Sequence, residues 1–122
     1  GSVTIINTKN LNIIKTISFS VKGIKQEEIT PVDFAYAKNS NKVFVTLGSA
    51  NHVAVVNTKT YNVEKNILVG SRVWGAALTK DDKELIVTNG NSDDISIIDL
   101  NRFVATSSYP VGRTPHTVRV LK

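Results

Sequence analysis

The sequence predicts an all-β fold, antiparallel throughout and assembled from a repeated four-stranded unit. Three observations lead there: a composition that favours strands, a repeat of fixed period, and turn chemistry at regular intervals within it. Val, Ile and Thr together number 40 of 122 residues, against seven Ala and seven Leu, and branched side chains sit better on a pleated sheet than on a helix. Length alone allows one ordinary domain.

The repeat decides the architecture. VAVVNTKTYNVEKNI at residues 53–67 returns 42 residues later as ISIIDLNRFVATSSY, so that Asn57 falls on Asp99 and Gly70 on Gly112. The earlier copy, VTIINTKNLNIIKTI at residues 3–17, lies 50 residues upstream, so the first unit carries eight extra residues. A second block repeats in the same register: PVDFAYAKNSNKVFVTLGSAN from Pro31 matches VWGAALTKDDKELIVTNGNSD from Val73, and PHTVRVLK from Pro115 begins a third copy. Two blocks sharing one period point to a repeat protein.

The elements follow in chain order. Gly1 and Ser2 read as a cloning remnant, and residues 3–19 as the last two strands of one unit. After the insertion SFSVKGIKQEEIT at residues 18–30, VDFAYA (32–37) is an innermost strand and Lys38-Asn39-Ser40-Asn41 a turn. KVFVTL (42–47), a loop at Gly48-Ser49-Ala50-Asn51, HVAVVN (52–57), a turn at Thr58-Lys59-Thr60 and NVEKNILV (62–69) complete the unit over residues 32–69. Gly and Asn at the reversals tolerate positive φ. Residues 74–111 repeat the four strands, and residues 116–122 form the first strand of a further unit, eleven strands in all. Four antiparallel strands in about 42 residues is the spacing of a β-propeller blade, and the chain reads as a propeller fragment.

Alternation along the innermost strands agrees with that geometry. One face carries Val32, Phe34 and Tyr36, then Trp74, Ala76 and Leu78, then His116, Val118 and Val120. The other is mostly small, with Asp33, Ala35 and Ala37, then Gly75, Ala77 and Thr79. A bulky face meeting a small one suits blades crowded around an axis.

GSRVWGAALTKDDKELIVTNGNSDDISIIDL and VGRTPHTVRVL resemble the YVTN-type β-propeller repeat, best at Val87-Thr88-Asn89 and Ile95-Ser96-Ile97-Ile98-Asp99. The resemblance covers essentially the whole chain. Lys80-Asp81-Asp82-Lys83 lacks the turn Pro and Gly, Val73 stands where the loop Pro is usual, and Leu47 replaces the motif Asn. The resemblance implies a seven-bladed parent, a periplasmic or extracellular location, and for some relatives an association with quinoprotein alcohol oxidation.

The residues exclude several chemistries. With no Cys there are no disulfides, thiolate metal sites or cysteine nucleophiles, and no apolar run reaches membrane-spanning length. The formal charge of +5 is spread over turns and alternating strand positions, without the basic stripe or aromatic spacing of nucleic-acid binders. His52 and His116 fall at different repeat positions, so they are not read as a metal pair. Asp81-Asp82 and Asp93-Asp94 lack the alternating spacing of a calcium loop and read as turn residues. No nucleophile elbow or phosphate loop is present; no catalytic residue, metal or cofactor is assigned.

Two features remain as candidates for a ligand or partner face. One is the insertion with Lys22, Lys25, Glu27 and Glu28, which reads equally as a neutral surface loop. The other is the matching loop of the later copies, which places Arg72, Trp74, Arg113 and His116 near the axial mouth. Arginines beside aromatic rings suit an anionic ligand or an acidic segment; loop anchoring is the alternative. The expected function is a non-catalytic scaffold that binds protein through loops on one face. The rival is a catalytic or quinoprotein-associated propeller with its active residues in other blades. The open blade edges at residues 3–19 and 116–122 are expected to pair with the rest of a parent propeller or with another copy.

Overall fold

The computed structural model describes residues 1–121. Among the described residues, ten strands form three separate sheets. β1 (Ser2–Ile6) and β2 (Ile13–Ser18) make a two-stranded ribbon. β3 (Phe34–Ala37), β4 (Lys42–Thr46), β5 (His52–Asn57) and β6 (Val63–Leu68) form a four-stranded meander, as do β7 (Val73–Leu78), β8 (Glu84–Asn89), β9 (Asp94–Asp99) and β10 (Val104–Pro110). Every pairing is antiparallel, and the register repeats with the sequence: Phe44 opposes Val55 as Ile86 opposes Ile97. These are two whole blades preceded by the outer half of a third.

The hairpin from third to fourth strand shows why the repeat ends in Asn or Asp. The Oδ1 of Asn57 accepts bonds from the Lys59 and Thr60 amides at 2.8 and 3.2 Å. Asp99 Oδ1 does the same for Asn101 and Arg102 at 2.8 and 3.1 Å, and Asn7 for Lys9 at 2.9 Å. A short polar side chain thereby replaces strand partners through the reversal. The turn then carries Leu11, Tyr61 and Phe103 in the left-handed region, at φ 60, 60 and 55°. That conformation costs a bulky L-residue about 1–2 kcal/mol. Burial offsets it at Tyr61 and Phe103, whose rings pack into the spaces between blades, Phe103 lying 6.4 Å from Phe44.

The cores lie between sheets. Ala35, Ala37, Phe44 and Val55 of the first whole blade pack on Ala76, Leu85, Val87 and Ile98 of the second. Ile17 and Phe19 of the half-blade pack with Val45, Ala54 and Val56 of the first whole blade. The small face of β3 does meet the bulky face of β7, as its alternation requires.

At three places the structure adds to or departs from the sequence reading. Ser2 belongs to β1, where it opposes Ser18, so part of the assigned remnant is laddered into the sheet. The insertion folds onto the first whole blade through buried Val21 and Ile29. Residues 116–121 form no strand, leaving ten where eleven were expected. A strand exists by virtue of a hydrogen-bonded neighbour, and among the described residues none stands beside this segment. It is nevertheless positioned as an innermost strand begins: Thr88 Oγ1 donates to His116 O at 3.1 Å, the bond that Thr46 Oγ1 makes to Trp74 O at 2.8 Å. Lys122 lies outside the described residues.

Candidate functional site

Meander topology puts the loops after each second strand on the same face as the connections into each innermost strand. Hydrogen bonds lace these loops together. Arg72 has φ 56°, and its amide donates to Asn51 Oδ1 at 2.8 Å. One repeat on, Thr114 has φ 50°, and its amide donates to Asp93 Oδ1 at 2.8 Å. The polar residue closing each second-to-third loop thus holds the incoming connection in a left-handed turn.

On this frame three candidate residues form a column. The Arg72 guanidinium lies 5.2 Å from the Trp74 ring centroid, close enough for a cation–π contact. The Trp74 ring lies 4.5 Å from that of His116, tilted by 34°. Arg72 Nη1 also donates to Ser49 Oγ at 2.8 Å. Gly90 makes room for the indole: a Cβ there would stand 2.6 Å from Trp74 Nε1. The arginine is therefore presented on a fixed platform, with most of its donor fork not spent on Ser49.

The other candidates are placed less tightly. Arg113 is exposed and occupies the repeat position of Ser71, so the two arginines are not equivalent. Lys22, Lys25, Glu27 and Glu28 are all exposed; Gln26–Glu28 is a single 3-10 turn closed by the Lys25 amide on Glu28 Oε2 at 3.1 Å. The insertion is fastened to the laced loops through Thr30, whose Oγ1 accepts from the Ser49 amide at 3.1 Å. Gly48, at φ 56°, has no space for a Cβ beside Thr30. His52 Nδ1 lies 2.6 Å from Ala50 O, within its own loop. Among the described residues no group of three or more His, Asp or Glu side chains could hold a metal ion.

Ser49, Asn51 and Asp93 went unnoticed as supports for this face. Their signal was present, since Asn51 and Asp93 are 42 residues apart and each lies 21 residues before the amide it binds. A second feature was not legible in the sequence: a cleft of about 530 Å³ between β1 and β3, lined by Val3, Ile5, Phe19, Phe34, Tyr36 and Tyr61 among others. Phe34 is 67% exposed there, whereas Ala76 at the same repeat position is 7% exposed.

On the opposite face, Glu64 pairs with Lys42 at 2.7 Å. Hydrogen bonds from Lys42 and Asn57 hold its carboxyl below the ordinary carboxylate value. Asp99 is likewise lowered, chiefly by the Arg102 and Asn101 amides of its turn.

No known family profile matches the chain, and no curated protein does. Solved structures do resemble it. A Kuenenia stuttgartiensis hydrazine synthase chain superposes with a TM-score of 0.72 at 24% identity, over 81% of this chain and 29% of that one. A functionally unknown protein from Desulfotomaculum acetoxidans DSM 771 superposes with a TM-score of 0.78 at 16% identity, over 98% of this chain and 38% of that one. At these identities the likeness is one of fold, and the chain spans well under half the length of either structure. The repeat, the meander sheets and the inter-blade cores define the class: an all-β segment built of propeller-type blades.

Proposed function

We propose that this segment is a non-catalytic binding module of the YVTN-type propeller kind, engaging an acidic stretch of a protein partner through the laced loops. The observation that carries the reading is the Arg72 column. An arginine held by Ser49 and stacked on Trp74 loses less freedom on meeting a carboxylate than a free one does. Arg113 lies on a connection into an innermost strand, as Arg72 does, and adds positive charge that steers an acidic partner, whereas Lys22 and Lys25 are balanced by Glu27 and Glu28 on the insertion. A location outside the cytoplasm belongs to the same family resemblance.

The test uses the single tryptophan. A Glu-rich synthetic peptide titrated into the chain should change Trp74 fluorescence saturably, with an affinity that weakens as salt is raised. Arg72→Ala should reduce that affinity about tenfold, as expected for loss of a charge-assisted pair. Binding that is absent, or unaltered in Arg72→Ala, sinks the proposal.

A further inference from the structure

We infer that the two open ends of this segment fit each other, so that a second copy joins it head to tail, the far face of β7–β10 seated on the near face of β1–β2. Repeat equivalence between blade faces specifies the fit, independently of the loop face. Each internal interface shows which positions mate. The half-blade sets Ile5 and Ile17 towards Val56 and Tyr61; the first whole blade sets Val55 and Ile67 towards Ile98 and Phe103. These are the same repeat positions, used twice.

The chain holds a further set of each kind with no partner among the described residues. The forward positions recur on the second whole blade as Ile97 and Tyr109, and the backward positions on the half-blade as Ile6 and Leu11. Tyr109 is 55% exposed where Ile67 is 3% exposed, and Ile6 is 49% exposed where Val56 is 1% exposed. None of these four side chains carries a charge, as expected of surface made to be covered. Their occupant is specified by the two joints already present: a face of this same repeat, with its own pitch and alternation. A forward face on one copy and a backward face on another supply it without rearrangement. The joint is heterologous, so successive copies close a ring or extend a filament.

Sedimentation velocity over low to high micromolar concentration tests the inference. The unmodified chain should show an average mass that rises with concentration to at least twice that of the monomer. Ile97→Asp disables the forward end and Ile6→Asp the backward end; each alone should stay monomeric. Mixed in equal amounts, the two should form a one-to-one dimer and nothing larger, because each retains one competent and opposite end. Far-UV circular dichroism checks folding, and Tyr109→Asp and Leu11→Asp stand in for a variant that fails it. A monomer at every concentration, self-association persisting in either single variant, or no dimer on mixing overturns the inference.

Discussion

The hydroxyl of Thr46 donates to the carbonyl of Trp74 at 2.8 Å, joining the second strand of one blade to the innermost strand of the next. The same oxygen accepts from the Asp33 amide at 2.9 Å. Thr88 repeats both bonds, to His116 O and from the Gly75 amide. The hydroxyl of the second-strand Val-Thr pair thereby fixes the spacing of neighbouring blades near the axis. Thr46→Val keeps the shape and removes the hydroxyl, leaving a buried donor and an acceptor short of partners. It should lower unfolding free energy by about 1–3 kcal/mol in urea titration, and Thr46→Ser should restore most of the loss.

The third-to-fourth turn depends on one acceptor. Asn57→Ala removes the oxygen that holds the Lys59 and Thr60 amides, and should cost about 1 kcal/mol, the scale of a lost local cap. In a Glu64→Gln background, which removes the carboxylate that Asn57 Nδ2 otherwise holds at 2.9 Å, Asn57→Asp retains that oxygen and should cost far less than Asn57→Ala. Equal losses from the two substitutions, read from thermal melts, would show that the turn does not depend on it.

Gly90 is required by a side chain in the neighbouring connection. With the Trp74 indole 2.6 Å from the position of an added Cβ, Gly90→Ala must displace the ring from the Arg72–His116 column. The expected cost is about 1–3 kcal/mol of overpacking, with a shift in tryptophan emission. Unchanged emission would refute the displacement.

Glu64 makes acid stability depend on Lys42. Its carboxyl titrates below the ordinary value in the folded state, so its contribution is present above the unfolded carboxylate pKa of about 4.3 and is lost as pH falls through the lower folded value. Asp81 and Asp99 are shifted in the same direction. Stability should therefore fall below about pH 4, and Lys42→Ala should flatten that fall. An identical pH profile in Lys42→Ala would separate Glu64 from the effect.

Much of the fold was legible because a blade is encoded locally. The 42-residue period, the alternation of β3 and β7, and the Asn or Asp at residues 57 and 99 act through strand burial and bonds spanning a few residues. Such signals survive in a linear reading. The candidate face was legible in part. Arg72, Trp74 and His116 were singled out, but their stacking depends on two connections one period apart being brought together by Thr46, Thr88, Asn51 and Asp93.

The sequence by itself determined the repeat unit, its strand order and its turns, since these rest on neighbours along the chain. The tertiary structure alone decided which residues share a neighbourhood. It stacked Trp74 on His116, folded the insertion onto the first whole blade, and left residues 116–121 without a ladder. The reason is common to all three: contacts between blades join residues far apart in the chain, and their geometry follows from how whole sheets stack.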